Sequence, residues 1–374
     1  MELTLKTLGW SPFFGRQCAD ELARLTPYRI AEVHRDRLTG LSEAGLSEAG
    51  PPDSGLSDSG LSGSGLSGSG LPDSGTASLI TPPGITTADI TVGDWVLADA
   101  DHRIERVLDR QTLLQRRAPG TDARNQLIAA NVDVLFITTS CNDDFNTARL
   151  ERYLALAHEA GCLPVIVLTK ADVVEDPDTY VHDAEALAPM QVAIAINAHD
   201  PDDLAQLAGW IGVGQTAALV GSSGVGKTTI LNGLTGKDFE TRTIREDDAH
   251  GRHTTTARAL IPTANGGWII DTPGMRALRL HAAEEGIEQL FADIVDLAAQ
   301  CRFRDCAHQG EPGCAVQAAI ADGRLEADRV ARWNKLRLED LRNSETLAQA
   351  RARGRSFRRM VRSVTKEKSD RTKR

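Results

Sequence analysis

Nine consecutive residues, GSSGVGKTT at Gly221–Thr229, leave this chain few folds to choose from. They fit the pattern G-x-x-x-x-G-K-[ST]. The apolar run TAALV before them and TILNGL after them predict a loop between a strand and a helix. Gly221, Gly224 and Gly226 let the backbone close around phosphate oxygens with no Cβ in the way. The amides of the loop, Ser222, Ser223 and Val225 included, then gather at a helix N-terminus. Lys227 supplies a point charge for the β and γ phosphates. The Thr228 hydroxyl is a ligand for Mg²⁺, and Thr229 carries the segment into the helix.

Two further segments narrow the nucleotide. Thr169-Lys170-Ala171-Asp172 follows the apolar strand VIVL. A carboxylate at Asp172 can accept two hydrogen bonds from guanine N1 and N2, which adenine cannot donate together, and Lys170 can lie over the base. Most GTP-binding proteins have Asn where this chain has Thr169, so a hydroxyl takes over the side-chain amide contact. Asn197-Ala198, after VAIAI, stands where a Ser-Ala pair usually meets the base edge. Asp271-Thr-Pro-Gly274 follows the strand WII. Asp271 can hold Mg²⁺ through water, and the Gly274 amide can bond the γ-phosphate and sense its presence.

Between these motifs lies GRHTTT, Gly251–Thr256. One of Thr254–Thr256 is expected to complete the Mg²⁺ shell. After DTPG, where many GTPases place a Gln that orients water, stands Met275, whose thioether cannot do so. Slow intrinsic hydrolysis is expected, with the missing group supplied by His253 or by a partner. The expected catalytic set is therefore Lys227, Thr228, His253, Asp271 and Gly274.

Cys301, Cys306, His308 and Cys314 offer three thiolates and one imidazole within 14 residues. That is a full tetrahedral set for one structural Zn²⁺ with no open position. The other cysteines, Cys18, Cys141 and Cys162, are scattered, which is not the pattern of a disulfide-stapled secreted chain. MELTLKTLGWSPFF has no basic segment ahead of an apolar core, and no stretch nears the ~20 apolar residues of a membrane helix. A reducing, cytoplasmic setting with no membrane contact is expected.

Along the chain, RIAEVHRDR (Arg29–Arg37) and the alternating segments of residues 79–117 predict a small β-barrel. Within it, Gly40–Ser74 is a five-residue repeat (GLSEA, GLSEA, GPPDS, GLSDS, GLSGS, GLSGS, GLPDS). Its Gly, Ser and Pro favour a flexible inserted loop between two strands, with no function assigned. From Leu127 the strands VDVLFITTS, LPVIVLTK, MQVAIAIN, TAALVG and GGWIID alternate with helical segments, the signature of a mostly parallel sheet with helices on both faces. After about Leu280 the chain reads as helical. From Arg351 to Arg374, eleven Lys/Arg stand against two acids in a chain of net charge -10, and such a tail suits an anionic partner, nucleic acid first.

In this chain TKAD precedes the phosphate loop, whereas in ordinary GTPases the guanine motif comes last. With TVGDWV, IAANVD, RYLALA, TKAD, GSSGVGKTT, GRHTTT, DTPG and the Cys/His cluster in this order, the chain resembles the ribosome small-subunit-dependent GTPase A family, the circularly permuted GTPases of ribosome biogenesis. The resemblance implies an α/β multidomain fold: an oligonucleotide-binding-type (OB-type) barrel (1–120), a circularly permuted GTPase domain (121–283) and a helical zinc-binding domain (284–350); the low-complexity insert (40–76) has no counterpart in the family pattern, and the basic tail (351–374) is read from its charge. It implies guanine-nucleotide contacts at Thr169–Asp172 and Gly221–Thr229 and zinc ligands at Cys301, Cys306, His308 and Cys314. It further implies a protein that binds GTP and GDP, meets the small (30S) ribosomal subunit and its 16S rRNA late in maturation, and hydrolyses GTP with stimulation by the subunit; a monomer is expected. Two other readings stand beside it: a P-loop kinase or ATPase, against which TKAD and DTPG argue, and an RNA-binding zinc protein with little catalysis, against which intact Lys227, Thr228 and Asp271 argue.

Overall fold

The computed structural model describes residues 3–34, 37–43, 75–117, 125–239, 258–271 and 282–344. The chain divides into two compact units, residues 1–115 with 127–278, and residues 116–126 with 279–374.

The first unit opens with helix α1 (Pro12–Cys18) and strands β1 (Thr26–Val33), β2 (Leu38–Leu41), β3 (Thr76–Leu79), β4 (Trp95–Ala98) and β5 (Ile104–Val107). β1 pairs antiparallel with both β2 and β4, β2 with β3, and β4 with β5. An isolated parallel bridge from Ile80 to Arg103 joins the end of β3 to the start of β5, so five strands close on themselves. Tyr28, Ile30, Leu38, Leu79, Val96 and Ile104 fill the interior. The repeat enters between β2 and β3. Its first residues, Gly40 and Leu41, belong to β2, where they pair with Ala77 and Thr76, and the Ser42 amide donates to the Gly75 carbonyl at 2.8 Å. Residues 44–74 lie outside the described residues.

The segment expected to continue the barrel does something else. β6 (Leu113–Arg117) pairs with β7 (Asn125–Ala130) in a separate two-stranded ribbon. The Asp109–Gln111 stretch turns the chain away from β5: Arg110 is drawn onto the buried Asp94 carboxylate in a two-pronged ion pair, at 2.6 and 2.8 Å.

The nucleotide-type sheet follows: β8 (Val134–Ser140), α2 (Thr147–Ala160), β9 (Leu163–Thr169), α3 (Pro177–Glu185), β10 (Val192–Ala195), α4 (Pro201–Ala208), β11 (Thr216–Gly221), α5 (Lys227–Thr235), β12 (Ala259–Pro262) and β13 (Trp268–Asp271). Strands β10, β9, β8, β11 and β13 run parallel in that order, and β12 adds antiparallel to β13. Val134, Phe136, Val165, Val167, Ala217 and Leu219 pack with α4 and α5. The alternate positions Leu135, Ile137, Ile166, Leu168, Ala218 and Val220 are equally buried and point the other way. Helix α2 packs on β8 and β9. Its buried residues include Leu150, Tyr153, Leu154 and Ala157, one helical face. Asn146 caps its start by accepting from the Arg149 amide, and left-handed Gly161 ends it.

Barrel and nucleotide strands share one sheet, because β1 pairs antiparallel with β12 at Glu32 and Ala259. Arg29 of β1 reinforces the join. It is 2% exposed, and its guanidinium donates to the carbonyls of Leu8 (2.5 Å) and Asn131 (3.3 Å) and to the Thr216 hydroxyl (2.6 Å). Burial pulls it down to about 10, Asp133 opposing, so it stays charged at neutral pH.

The second unit holds α6 (Glu284–Leu290), α7 (Ala292–Ala298), α8 (Ala315–Ala321) and α9 (Ala327–Ser344). Arg329 of α9 lies 4.8 Å from the Phe291 ring centroid and 2.9 Å from the Asp293 carboxylate, tying α9 to the start of α7. Among the described residues no helix is long and apolar enough to cross a membrane.

Replacing Arg29 by Met keeps the volume but strips three buried acceptors of their donor. It is expected to cost about 3 kcal/mol in urea unfolding. A loss below about 1 kcal/mol would mean that the strut is dispensable.

Candidate functional site

The phosphate loop emerges from β11, the strand between β8 and β13, at the carboxyl edge of the parallel strands where ligands of such sheets bind. Gly221 has φ 144°, and a Cβ there would stand 2.1 Å from the Thr138 carbonyl oxygen of β8. No other residue type lets β11 turn into the loop this close to its neighbour. Gly224 (φ 77°) and Gly226 (φ 91°) complete the curl, and α5 begins at Lys227. The Lys227 ammonium folds back on the loop, donating to the carbonyls of Gly221 (2.9 Å) and Ser222. The loop is thus already wound around the position of a cation-seeking ligand.

TKAD meets this loop directly. Thr169 ends β9 and is 1% exposed. Its hydroxyl lies 2.7 Å from the Val225 carbonyl of the loop and 3.1 Å from the Thr139 carbonyl of β8, as a shared donor. The expected substitution of a hydroxyl for the Asn side chain therefore has a visible form: Thr169 straps the loop to two strands. Lys170 takes a left-handed conformation (φ 59°), and a single 3-10 turn, Ala171–Val173, follows. The Ala171 amide donates to the Ile196 carbonyl at 3.2 Å, holding the motif beside the end of β10. Asp172 is exposed at that edge. Asn197 does not reach outward: its side-chain oxygen accepts from the His199 amide at 3.0 Å, and its own amide donates to Asp203 at 2.7 Å.

Asp271 closes β13, one strand over from the loop, with its backbone opposite Ala259 of β12. Gly251, His253, Thr254–Thr256, Gly274 and Met275 lie outside the described residues.

In the second unit the four expected metal ligands converge. Their donor atoms all lie within 4.8 Å of one another. Cys301 Sγ is 3.6 Å and Cys314 Sγ 3.5 Å from His308 Nδ1, and the two sulfurs are 3.8 Å apart. Surrounding groups fix the donors. Gln317 donates to the His308 carbonyl at 2.6 Å, and the Trp333 ring lies 5.7 Å from the imidazole. The Glu311 carboxylate accepts from the amides of Ala307 and Gln309, both at 2.8 Å. Its own amide and those two hold its carboxyl down at about 2. Burial lowers the His308 imidazole, favouring the neutral, ligating form. Sequence spacing exposed the ligands but not Trp333 or Gln317, because a supporting contact from a later helix leaves no local pattern.

A phosphate loop strapped to a guanine-type motif that comes earlier in the chain defines the class: a circularly permuted P-loop nucleotide-binding fold. The RsgA GTPase family model matches residues 107–281. A small ribosomal subunit biogenesis GTPase RsgA of Mesorhizobium japonicum is 49% identical over 91% of both chains. A small ribosomal subunit biogenesis GTPase RsgA 2 of Vibrio parahaemolyticus is 45% identical over 74% of this chain and 78% of its own. In fold, the chain is similar to crystal structures of YjeQ from Thermotoga maritima (TM-score 0.57, 22% identity, 85% of this chain and 99% of that one) and of YloQ, a circularly permuted GTPase (TM-score 0.54, 23% identity, 87% and 99%). The chain belongs to the RsgA GTPase family.

Thr169→Val removes one hydroxyl from a β-branched side chain and leaves the Val225 carbonyl without its donor. GDP affinity, titrated with a fluorescent analogue, should fall about five- to tenfold with unchanged thermal unfolding. An unchanged Kd would deny the strap its role.

Proposed function

We propose that this GTPase hydrolyses GTP at Gly221–Thr229 in step with binding to the small ribosomal subunit late in that subunit's maturation, and that the subunit stimulates its turnover. The observation that carries this is the Thr169–Val225 bond, by which the permuted guanine motif grips the phosphate loop. The 49% identity over 91% of the chain to a small ribosomal subunit biogenesis GTPase supplies the partner.

Each residue then has a task. The loop amides of Ser222–Gly226 cradle the phosphates, and Lys227, released from its loop carbonyls, moves to the β and γ oxygens. Asp172 reads guanine, and Lys170 covers the base. Thr228 and Asp271 are the groups that would hold Mg²⁺, which when bound neutralises charge on the phosphates. Gly274 registers the γ-phosphate. Met275 leaves the attacking water without an orienting side chain, and His253 or a group of the subunit orients it instead.

The Cys/His cluster fits Zn²⁺. A tetrahedral zinc with bonds of about 2.3 Å to sulfur and 2.05 Å to nitrogen places sulfurs about 3.8 Å apart and sulfur about 3.6 Å from nitrogen. The separations among Cys301, Cys314 and His308, 3.8, 3.6 and 3.5 Å, match that shape, and Cys306 completes the set within 4.8 Å. Four protein ligands leave no open position, so the ion would hold the fold and take no part in hydrolysis. The barrel, read as an oligonucleotide-binding type, the helical unit and the tail of residues 351–374 are the surfaces for 16S rRNA. A cytoplasmic monomer suits this role.

GTP turnover with and without purified small subunits tests the reading. Slow turnover alone and a rise of tenfold or more with subunits are expected, by analogy with partner-completed GTPases. His253→Ala should lower the stimulated rate and leave GDP affinity intact. A flat response to subunits would leave a nucleotide-binding RNA protein with little catalysis. Separately, metal analysis of purified protein should return about one zinc per chain. A value near zero would refute the site.

A further inference from the structure

Between the first two metal ligands lies the loop Arg302-Phe303-Arg304-Asp305. We propose that Phe303, flanked by Arg302 and Arg304, is a stacking platform for an unpaired base of single-stranded RNA. This rests on the reading of the chain as a GTPase of the ribosomal subunit and names one place where that RNA is touched.

Phe303 is 43% exposed, and among the described residues no other Phe or Trp side chain stands as far out into solvent. The ring stands on a fixed base. Cys301 and Cys306, at the two ends of the loop, belong to the cluster whose donor atoms lie within 4.8 Å of one another. The Arg302 amide donates to the Gly313 carbonyl at 3.1 Å, and the Cys306 amide to the Phe303 carbonyl at 3.3 Å. A ring presented on a rigid turn loses little entropy when a base settles on it.

The surrounding charge suits a polyanion. The Arg302 guanidinium sits 5.5 Å from the Phe303 ring centroid, and Arg304 is exposed beside it. Glu311 is committed to the Ala307 and Gln309 amides, leaving Asp305 as the exposed acid of the loop. Two arginines against one aspartate give a modest attraction for phosphate, and the ring face provides the grip. Every base has a π face, so such a platform takes unpaired nucleotides without a strong sequence preference. A protein partner would use the ring as apolar area instead, and leucine would replace it at small cost.

The test uses full-length protein and a fluorescein-labelled ten-nucleotide single-stranded RNA, followed by anisotropy at two salt concentrations. Phe303→Ala and Phe303→Leu should each raise Kd about fivefold or more, while Phe303→Trp stays within about twofold of the parent. Arg302→Ala with Arg304→Ala should weaken binding and flatten its salt dependence. RNA carrying 5-iodouracil should cross-link to the peptide that contains Phe303. Metal content and unstimulated GTP turnover, measured on every variant, verify that each has folded. Parent-like binding by Phe303→Ala or by Phe303→Leu, no binding by the parent, or cross-links confined to other peptides would each overturn the platform. Subunit-stimulated turnover of the parent separates the two ideas: stimulation with an indifferent Phe303 sinks the platform alone, and no stimulation sinks the reading beneath it.

Discussion

The approach of β11 to β8 at Gly221 sets the rest of the nucleotide site. A Cβ at that position would lie 2.1 Å from the Thr138 carbonyl, so the two strands can sit at sheet spacing only around a glycine. With that spacing held, β8 offers the Thr139 carbonyl and β9 offers the Thr169 hydroxyl at a height that meets Val225. The loop is therefore fixed from the strand that feeds it and from a strand two places away. Strain or slack at either point would reach the phosphates without any change to Lys227 or Thr228.

A parallel sheet needs its strands as neighbours in space and is indifferent to their order along the chain. That is why TKAD can precede the phosphate loop and still reach it. Permutation leaves β12 and β13 as the last strands of the fold, and β12 borders β1 of the barrel. The segment that follows the loop thus ends on a strand hydrogen-bonded to the barrel, and the segment after β13 enters the second unit. Within the first unit, the pairing of β12 with β1 gives a change in the nucleotide site a hydrogen-bonded path to the barrel.

Much of this was legible in the residues, for reasons that differ from element to element. Strands buried on both faces are continuous apolar runs, so VLFITTS and PVIVLT stood out. The glycines and Lys227 were legible because phosphate chemistry admits few substitutes, and the cysteines because ligand spacing is short-range. What stayed hidden was non-local. Nothing in LLQRR tells that it leaves the barrel to pair with β7, since the alternation suits either partner. Arg29 looks like one more charge in a polar strand, and only the fold places it under Thr216 and Leu8. The exposure of Phe303 left no mark in the sequence, because exposure is a property of the folded surface.

The Ser42–Gly75 hydrogen bond bears on the history of the chain. Strands β2 and β3 are zipped up to that point by their own pairing, so the ends of whatever lies between them are already brought together. Closing a longer loop costs only about 0.6 kcal/mol for each doubling of its length. A duplicated pentapeptide there meets almost no resistance, and neither does its loss. The hairpin tip is a place where replication slippage can write and erase sequence while selection on the fold stays silent, and where a laboratory could graft a reporter domain on the same terms.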